Sequence, residues 1–403
     1  MVERLDDPQP TFPLPPLEQI PDEGDDKPVE DKLTTFFGTL NLPAIIFGAA
    51  SFSAFYNSDD HVSGVAPLRA TRLALRYGIR AFDTSPYYGP SEIILGNALK
   101  TLEKEFPRES YKLLTKCGRY GNGPDGFNYT AAGVRASIQR SLKRLHTTYL
   151  DVVYLHDVEF VSGSKLPRPG GNHLGALTSE KEAYGLDEGS GGVVLGEGDE
   201  AVLGAIAELR KLKQEGVIRN VGISGFPLPT LLRLALLVKA KTGEPLDIVM
   251  SYCHLTLQNR TVVAFKDSFI ERAGVKQVVT ASPFSMGLLN PKPPAWHPAP
   301  DNLKTAVAAA VQKCAQWSER GDSGLPDLAL EYSMERAREA EMPSVVGLST
   351  LKDVHESARV WSTLEKSELG KDVEWKKHVQ EVTDLFAEQG LLDFSWETPK
   401  SRT

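Results

Sequence analysis

The sequence predicts an α/β fold, a (β/α)8 TIM barrel, and three observations predict it. About eight short apolar runs alternate with helical patterns over a span of roughly 320 residues, which is the arithmetic of such a barrel. Polar side chains with acid–base chemistry stand directly after several of these runs, at the end where a parallel α/β protein gathers its reactive groups. The first unit also lacks the G-x-G-x-x-G turn that a doubly wound open sheet normally offers, since Gly48-Ala49-Ala50-Ser51-Phe52 does not match it. The open sheet is therefore the runner-up.

The elements follow in order. Residues 1–38 are rich in proline and acid (Pro13, Pro15, Pro16, Asp22 to Asp26) and lack periodicity. An extended, partly disordered arm is expected there, ordered only where something holds it. Residues 39–365 carry the barrel. Ala44-Ile45-Ile46-Phe47 is its first packed run, and the small residues Gly48, Ala49 and Ala50 after it let a ligand approach the backbone. Ala70, Leu73, Ala74 and Tyr77 recur at helical spacing, Gly78 stands where a helix end wants a left-handed residue, and the run Ile79 to Phe82 ends in Asp83.

A helix over Glu92 to Leu102 leads to the strand Tyr111 to Lys116. A helix marked by Val134, Ile138, Leu142 and Leu145 leads to the strand Leu150 to Leu155, which ends in His156-Asp157. The rhythm breaks over residues 162–198, with Gly170-Gly171, Gly191-Gly192 and several prolines, as in a long loop inserted between a strand and its helix. It emerges at the rim that carries His156, where a lid over a ligand and a mobile ornament are equally good readings.

Periodicity returns with Val202, Ile206, Leu209 and Leu212. There follow strands at Asn220 to Ile223, Leu246 to Met250, Gln277 to Thr280 and Ser344 to Val346. The helices between and after them are Thr230 to Lys241, Val262 to Ala273, Asn302 to Arg320, Asp327 to Glu341 and Leu351 to Trp361. Residues 366–403 add a polar helix, Lys371 to Glu388, and a tail.

Bulk composition narrows the function classes. A hydrophobic share of 41% and a charged share of 24% are those of a soluble globular protein. A formal net charge of −8 disfavours nonspecific binding to nucleic acid or to an anionic membrane. The three cysteines, Cys117, Cys253 and Cys314, have no paired spacing, so neither a disulfide framework nor a zinc site is signalled. A reducing, cytoplasmic location is expected, and the acidic N-terminus lacks the apolar core of a signal peptide. Oligomeric state is not legible.

Four polar residues stand at the ends of three consecutive strands: Asp83 and Tyr88, Lys116, and His156. From the Asp83 stretch alone, a capping acid and an edge aromatic are as good a reading as a catalytic pair. Together on one rim, the four make a proton-transfer site. A phenol is a poor base at neutral pH, and a neighbouring ammonium is expected to lower its pKa. Asp83 would hold Lys116 charged, and His156 can hydrogen-bond a substrate oxygen. Cys117 follows Lys116 on a strand and so points the other way.

Asp83-x-x-x-x-Tyr88-Gly89 with strand-end Lys116 and His156 resembles the catalytic tetrad of the aldo-keto reductase superfamily. The resemblance continues in Val221-Gly222-Ile223-Ser224-Gly225 and in Ser282-Pro283-Phe284-Ser285-Met286-Gly287-Leu288-Leu289, and covers about residues 40–360 apart from the insertion. Leu155-His156-Asp157-Val158-Glu159-Phe160, Ser251-Tyr252-Cys253-His254 and Ala281-Ser282-Pro283-Phe284 are similar to the branch of sugar dehydrogenases that oxidise C1 of an aldose. This implies hydride transfer from an aldose, D-arabinose first, to give a 1,4-lactone on the way to erythroascorbate. Reduction of small carbonyls with NADPH and a cofactor-binding regulatory subunit are the alternatives.

The resemblance implies a nicotinamide cofactor held by Gly48, Ala49, Ala50, Ser224, Ser282, Phe284, Met286, Gly287, Gly347, Ser349, Asp353 and Glu356. Two departures stand out. Gly225 replaces an amide usual after Ser224, and Ala281 replaces a ring-stacking aromatic. After the last strand, NADP-using members carry Lys and Arg that grip the 2′-phosphate. Gly347 and Asp353 take those places here, so NAD is expected, with Asp353 repelling the phosphate.

Overall fold

The computed structural model describes residues 5, 7–317, 324–366 and 372–398. Its centre is a closed barrel of eight parallel strands in sequential order: β1 (Ile45–Gly48), β2 (Ala81–Asp83), β3 (Lys112–Cys117), β4 (Leu150–Leu155), β5 (Ile218–Gly225), β6 (Ile248–Tyr252), β7 (Gln277–Ala281) and β8 (Ser344–Gly347). These runs are rich in Val, Ile and Leu because the sheet is covered on both faces. Several strands extend one or two residues past the apolar run, as β5 does to Gly225 and β6 to Tyr252, because ladder pairing continues into the polar rim.

The helices outside are α1 (Ala66–Tyr77), α2 (Ser91–Thr101), α3 (Ala131–Arg144), α4 (Glu197–Gln214), α5 (Leu228–Thr242), α6 (Val262–Asp267), α7 (Asp301–Cys314), α8 (Leu325–Glu339), α9 (Leu351–Lys366) and α10 (Val373–Glu388). Gly78 ends α1 with a φ of 90°, as its place after the apolar stripe predicts. The helix expected through Ala273 continues from α6 as a π turn over Ser268–Arg272. The helix expected over Asn302 to Arg320 ends at Cys314, where the chain turns; residues 318–320 of that expectation and Lys371 of another lie outside the described residues.

Side chains alternate across each strand, so one set packs under the helices and the other fills the barrel. The interior set is Ile46, Ala81, Leu114, Val152, Tyr154, Ile248, Met250, Val279, Ala281 and Val345. Leu42 joins it from a short antiparallel hairpin, Phe36–Phe37 with Leu42–Pro43, at the amino-terminal end of the barrel. Cys117 packs with the outer core, opposite in sense to Lys116.

The N-terminal arm is held against α1. Arg69, Arg72 and Arg76 lie on one face of that helix. Arg69 and Arg72 reach the fully buried Asp26 at 2.8 and 3.2 Å, and Arg76 reaches Asp22 at 2.6 Å. Leu33 donates its N–H to the Tyr77 carbonyl at 2.7 Å and is itself buried. At the other end of the chain, α10 is amphipathic rather than simply polar: Trp375, Val382 and Phe386 are buried against α7 and α8.

The insertion is closed at its base by one carboxylate. Asp199 accepts from the N–H groups of Gly163 (3.0 Å) and Leu195 (2.8 Å), and from Arg233 of α5 at 2.8 and 2.9 Å. The loop between packs beside α5, and its inner edge pairs with the C-terminal tail, Gly171 and Ser395 exchanging backbone hydrogen bonds of 2.8 and 2.9 Å. The tail is sewn to the loop after β6 by Gln258, which donates to the Leu391 and Phe394 carbonyls, and by His254, whose Nε2 lies 3.1 Å from Ser395 Oγ. No helix among the described residues is long and apolar enough to cross a membrane.

Burial lowers the pKa of His254 to about 3, with the charge of His173 adding to the effect. Burial, then Arg168, lowers His173 to about 4. Both lie below the unfolded value, so between these pH values the unfolded chain binds more protons. Their stabilising contribution is complete above about pH 6.5 and is lost as pH falls. At pH 5 each therefore costs about 2 kcal/mol of unfolding free energy. Urea unfolding at pH 7.5 and pH 5 is expected to show this loss, and His254→Gln to remove about half of it; equal losses in both proteins would contradict the assignment.

Candidate active site

The next inward position beyond the apolar interior is occupied by Gly48 on β1, Asp83 on β2, Lys116 on β3 and His156 just past β4. The alternation that fills the barrel with aliphatic side chains thus delivers three polar ones to a single rim. Lys116 Nζ donates to Asp83 Oδ1 at 2.5 Å and to the Thr84 carbonyl at 3.0 Å, and both side chains of this pair are buried. The ammonium lies 4.8 Å from the centroid of the Tyr88 ring. His156 stands edge-on to the same ring at 5.5 Å, and its Nδ1 lies 2.9 Å from Ser85 Oγ. All four expected residues come together.

A second ion pair, which the sequence reading did not single out, flanks them. Asp157 turns the chain after β4 with a left-handed φ of 51°, and its carboxylate holds the buried Arg119 guanidinium. Arg119 lies 4.0 Å beneath the Tyr87 ring centroid, and it donates to the Tyr87 hydroxyl at 3.1 Å. That hydroxyl in turn donates to Asn122 Oδ1 at 2.6 Å. Asp157 also lies 3.7 Å from His156 Nε2. Arg119 and Asp157 were visible as charges near strand ends, but only the register of β3 against β4 reveals that they meet.

The expected lowering of the Tyr88 pKa is not what the structure gives. Burial pushes this phenol well above its usual value, the charges of Asp83 and Asp157 add to the effect, and Arg119 opposes it. The physical reason is first the burial of the ring, and then the Asp83 carboxylate, which sits against the ammonium that was expected to favour a phenolate. Asp83 is itself raised by burial, with Lys116 pulling it back down. Tyr88 therefore holds its proton at neutral pH.

The residues expected to hold a cofactor lie near the ends of β1, β5, β7 and β8 and on the first turns of α9. A Cβ on Gly48 would come within 2.9 Å of the Val346 carbonyl, so β1 and β8 approach closely there, and Ser51 Oγ donates to the Leu348 carbonyl at 3.1 Å just above. Ala49 and Ala50 form a single 3-10 turn with Ser51. Ser224, one residue before the end of β5, donates its hydroxyl to the Leu155 carbonyl at 3.3 Å. After β7, Ser282, Ser285, Met286 and Gly287 are all left-handed, and Phe284 is half-buried between them. Gly347 is exposed, with open space where a side chain would stand.

Asp353 has a local role that the sequence did not reveal. Its Oδ2 accepts from Ser349 N, Ser349 Oγ and Thr350 N, each at 2.9 Å, while its own N–H donates to Thr350 Oγ1 at 3.1 Å. This reciprocal cap fixes a negative charge at the start of α9. Glu356 pairs with the exposed Lys352 at 3.5 Å. The space beside Gly225 is filled by Glu159, whose Oε1 accepts from Phe226 N at 2.9 Å, so a side chain at 225 would run into this carboxyl. Burial, with Asp157 adding, raises Glu159 to about 8.

Comparison with known proteins gives a consistent picture. The model of the aldo/keto reductase family matches residues 44–372. D-arabinose 1-dehydrogenase of Saccharomyces cerevisiae is 35% identical over 321 residues, 79% of this chain and 82% of that protein. L-galactose dehydrogenase of Arabidopsis thaliana is 35% identical over 349 residues, 86% of this chain and 92% of that protein. Among solved structures, the holo form of an aldo-keto reductase from Bacillus halodurans shares the fold with a TM-score of 0.55 at 22% identity, covering 88% of this chain and 96% of that one.

Breaking the buried pair leaves one charge alone in an apolar setting. Lys116→Met is expected to lower the unfolding free energy by about 3 kcal/mol, and adding Asp83→Asn to recover more than half of that loss. Urea titrations of the single and double variants test it. A double variant no more stable than Lys116→Met would contradict the buried-pair reading.

Proposed function

Because the chain belongs to the aldo/keto reductase family, we propose that it oxidises C1 of an aldose, D-arabinose first, with NAD as hydride acceptor. The observation that carries this reading is the convergence of Asp83, Lys116, Tyr88 and His156 on one rim, with the Asp83–Lys116 contact at 2.5 Å. The sugar substrate is supported by the two 35% identical relatives, each matched over more than four-fifths of its own length.

The rim fits a nicotinamide dinucleotide. Gly48 and Gly347 keep the ends of β1 and β8 free of side chains, Ser224 lies near the end of β5 across the barrel, and the loop 282–287 follows β7, the neighbour of β8. At the start of α9, the fixed carboxylate of Asp353 opposes a 2′-phosphate and can accept from a ribose hydroxyl. The bound nicotinamide supplies the hydride acceptor. The chain supplies position and proton handling: His156 offers Nε2 to the sugar oxygen, and Tyr88 carries the anomeric hydroxyl proton at its phenol oxygen. Asp83 and Lys116 fix that phenol from below.

Tyr88 must lose its own proton before it can take one. Sugar oxidation is therefore expected to accelerate as pH rises toward the Tyr88 pKa, and the reverse reduction to slow over the same range. A protonated phenol also favours a second reading, reduction of small carbonyls with NADPH, which the Asp353 charge disfavours.

Incubating the protein with NAD or NADP and an aldose panel, while following the reduced cofactor, separates these readings. Tyr88→Phe is expected to lose roughly 10²-fold or more in turnover, and Tyr87→Phe much less. Near-wild-type turnover of Tyr88→Phe, or oxidation independent of pH, would refute the role of Tyr88. Asp353→Ser keeps a capping oxygen and removes the charge, and should improve the efficiency with NADP about 10-fold relative to NAD. An unchanged ratio would refute the selectivity argument.

A further inference from the structure

Beneath the rim, two buried polar atoms of the barrel interior have no hydrogen-bond partner, and they are complementary. Asp83 gives Oδ1 to Lys116, while its Oδ2 is enclosed and unpaired. The hydroxyl of Tyr154 is likewise enclosed and unpaired. Tyr154 belongs to the otherwise aliphatic interior set, where a phenylalanine would fill the same space without burying a polar atom.

The register brings the two together. Asp83 on β2 pairs with Leu114 on β3, Leu114 pairs with Val152 on β4, and Tyr154 is the next inward residue on β4, directly opposite Lys116. The Tyr154 phenol is pushed well above its usual pKa by burial and then by the charge of Asp83, so it is a neutral donor within the field of that carboxylate. A donor and an acceptor that are each destabilising alone, buried at inward positions of strands one apart, can satisfy each other through a single bridging water.

We propose that Tyr154 is a positioning residue for the Asp83–Lys116 pair, its hydroxyl hydrogen bonded to Asp83 Oδ2 through one enclosed water. A second donor keeps the carboxylate turned so that Oδ1 meets Lys116, and it spreads the negative charge that raises Tyr88. The groups that face Tyr88 are Asp83 from β2, Lys116 from β3, His156 and Asp157 at the end of β4, and Tyr87 and Arg119 beside it. Of these, Asp83 is the one that Tyr154 touches through the bridge. The inference rests on the reading of Tyr88 as the proton carrier.

The test is Tyr154→Phe, which removes one oxygen. The urea midpoint is expected to fall, because Asp83 Oδ2 loses its donor; an idle hydroxyl predicts an unchanged or higher midpoint, which would overturn the proposal. The acid limb of sugar oxidation is expected to move up by about half a pH unit, with kcat below the limb reduced about 3-fold and KM unchanged. A superimposable limb would overturn the positioning role even if the midpoint falls. Should Tyr154→Phe fail to fold, 3-fluorotyrosine at 154, a stronger donor, is expected to move the limb the opposite way, and no movement overturns the proposal. If no sugar is oxidised at all, the proposed function fails, while the stability comparison still decides whether Tyr154 and Asp83 are linked.

Discussion

The buried contact between Asp83 and Lys116 constrains the rest of the structure. Neither charge is tolerable alone at the top of an aliphatic barrel, and their attraction is strong only because water is excluded around them. Holding them in contact requires β2 and β3 to keep one register, Asp83 with Leu114, so that Asp83 and Lys116, two residues on from Leu114, both reach the rim facing inward. It also fixes the electrostatics of Tyr88. Burial decides the protonation state of the phenol and the charge of Asp83 adds to it, so the site rests with an acid rather than a base.

Much of this was legible in the sequence. Strand-end placement located Asp83, Lys116 and His156, because alternation along a short apolar run determines which polar residue faces inward. Tyr88 followed from its spacing to Asp83. The Arg119–Asp157 pair was not legible, since its partners follow two different strands and only the register of those strands brings them together. The acidic arm around Asp22 to Asp26 read as an extended, partly disordered segment because its partners, Arg69, Arg72 and Arg76, lie about a turn apart on a helix some 45 residues later. Asp353 was singled out by its place after the last strand, while its capping of α9 depends on hydrogen bonds that only the folded loop makes.

The rim beyond the central pair is shaped by backbone turns. Asp157, Cys253 and Ser282 each follow the end of a strand or the residue after it, and each is left-handed without being glycine. Such residues bend the chain sharply where β4, β6 and β7 end, and the surrounding packing must hold them there. Two devices do so: the insertion closed by Asp199 and the tail threaded through Gln258, His254 and Trp396, which stacks on Phe226 at 4.7 Å. The rim is thus braced by parts of the chain far apart in sequence, which composition and periodicity do not connect.

Direct hydride transfer from the sugar is the central claim, and isotope transfer tests it most directly. D-arabinose carrying deuterium at C1 is incubated with NAD and the protein, and the reduced cofactor is analysed by NMR. The account predicts deuterium on the nicotinamide ring, in one stereochemical position, with none exchanged into solvent. Deuterium lost to water, or no transfer from any C1-labelled aldose, would contradict it.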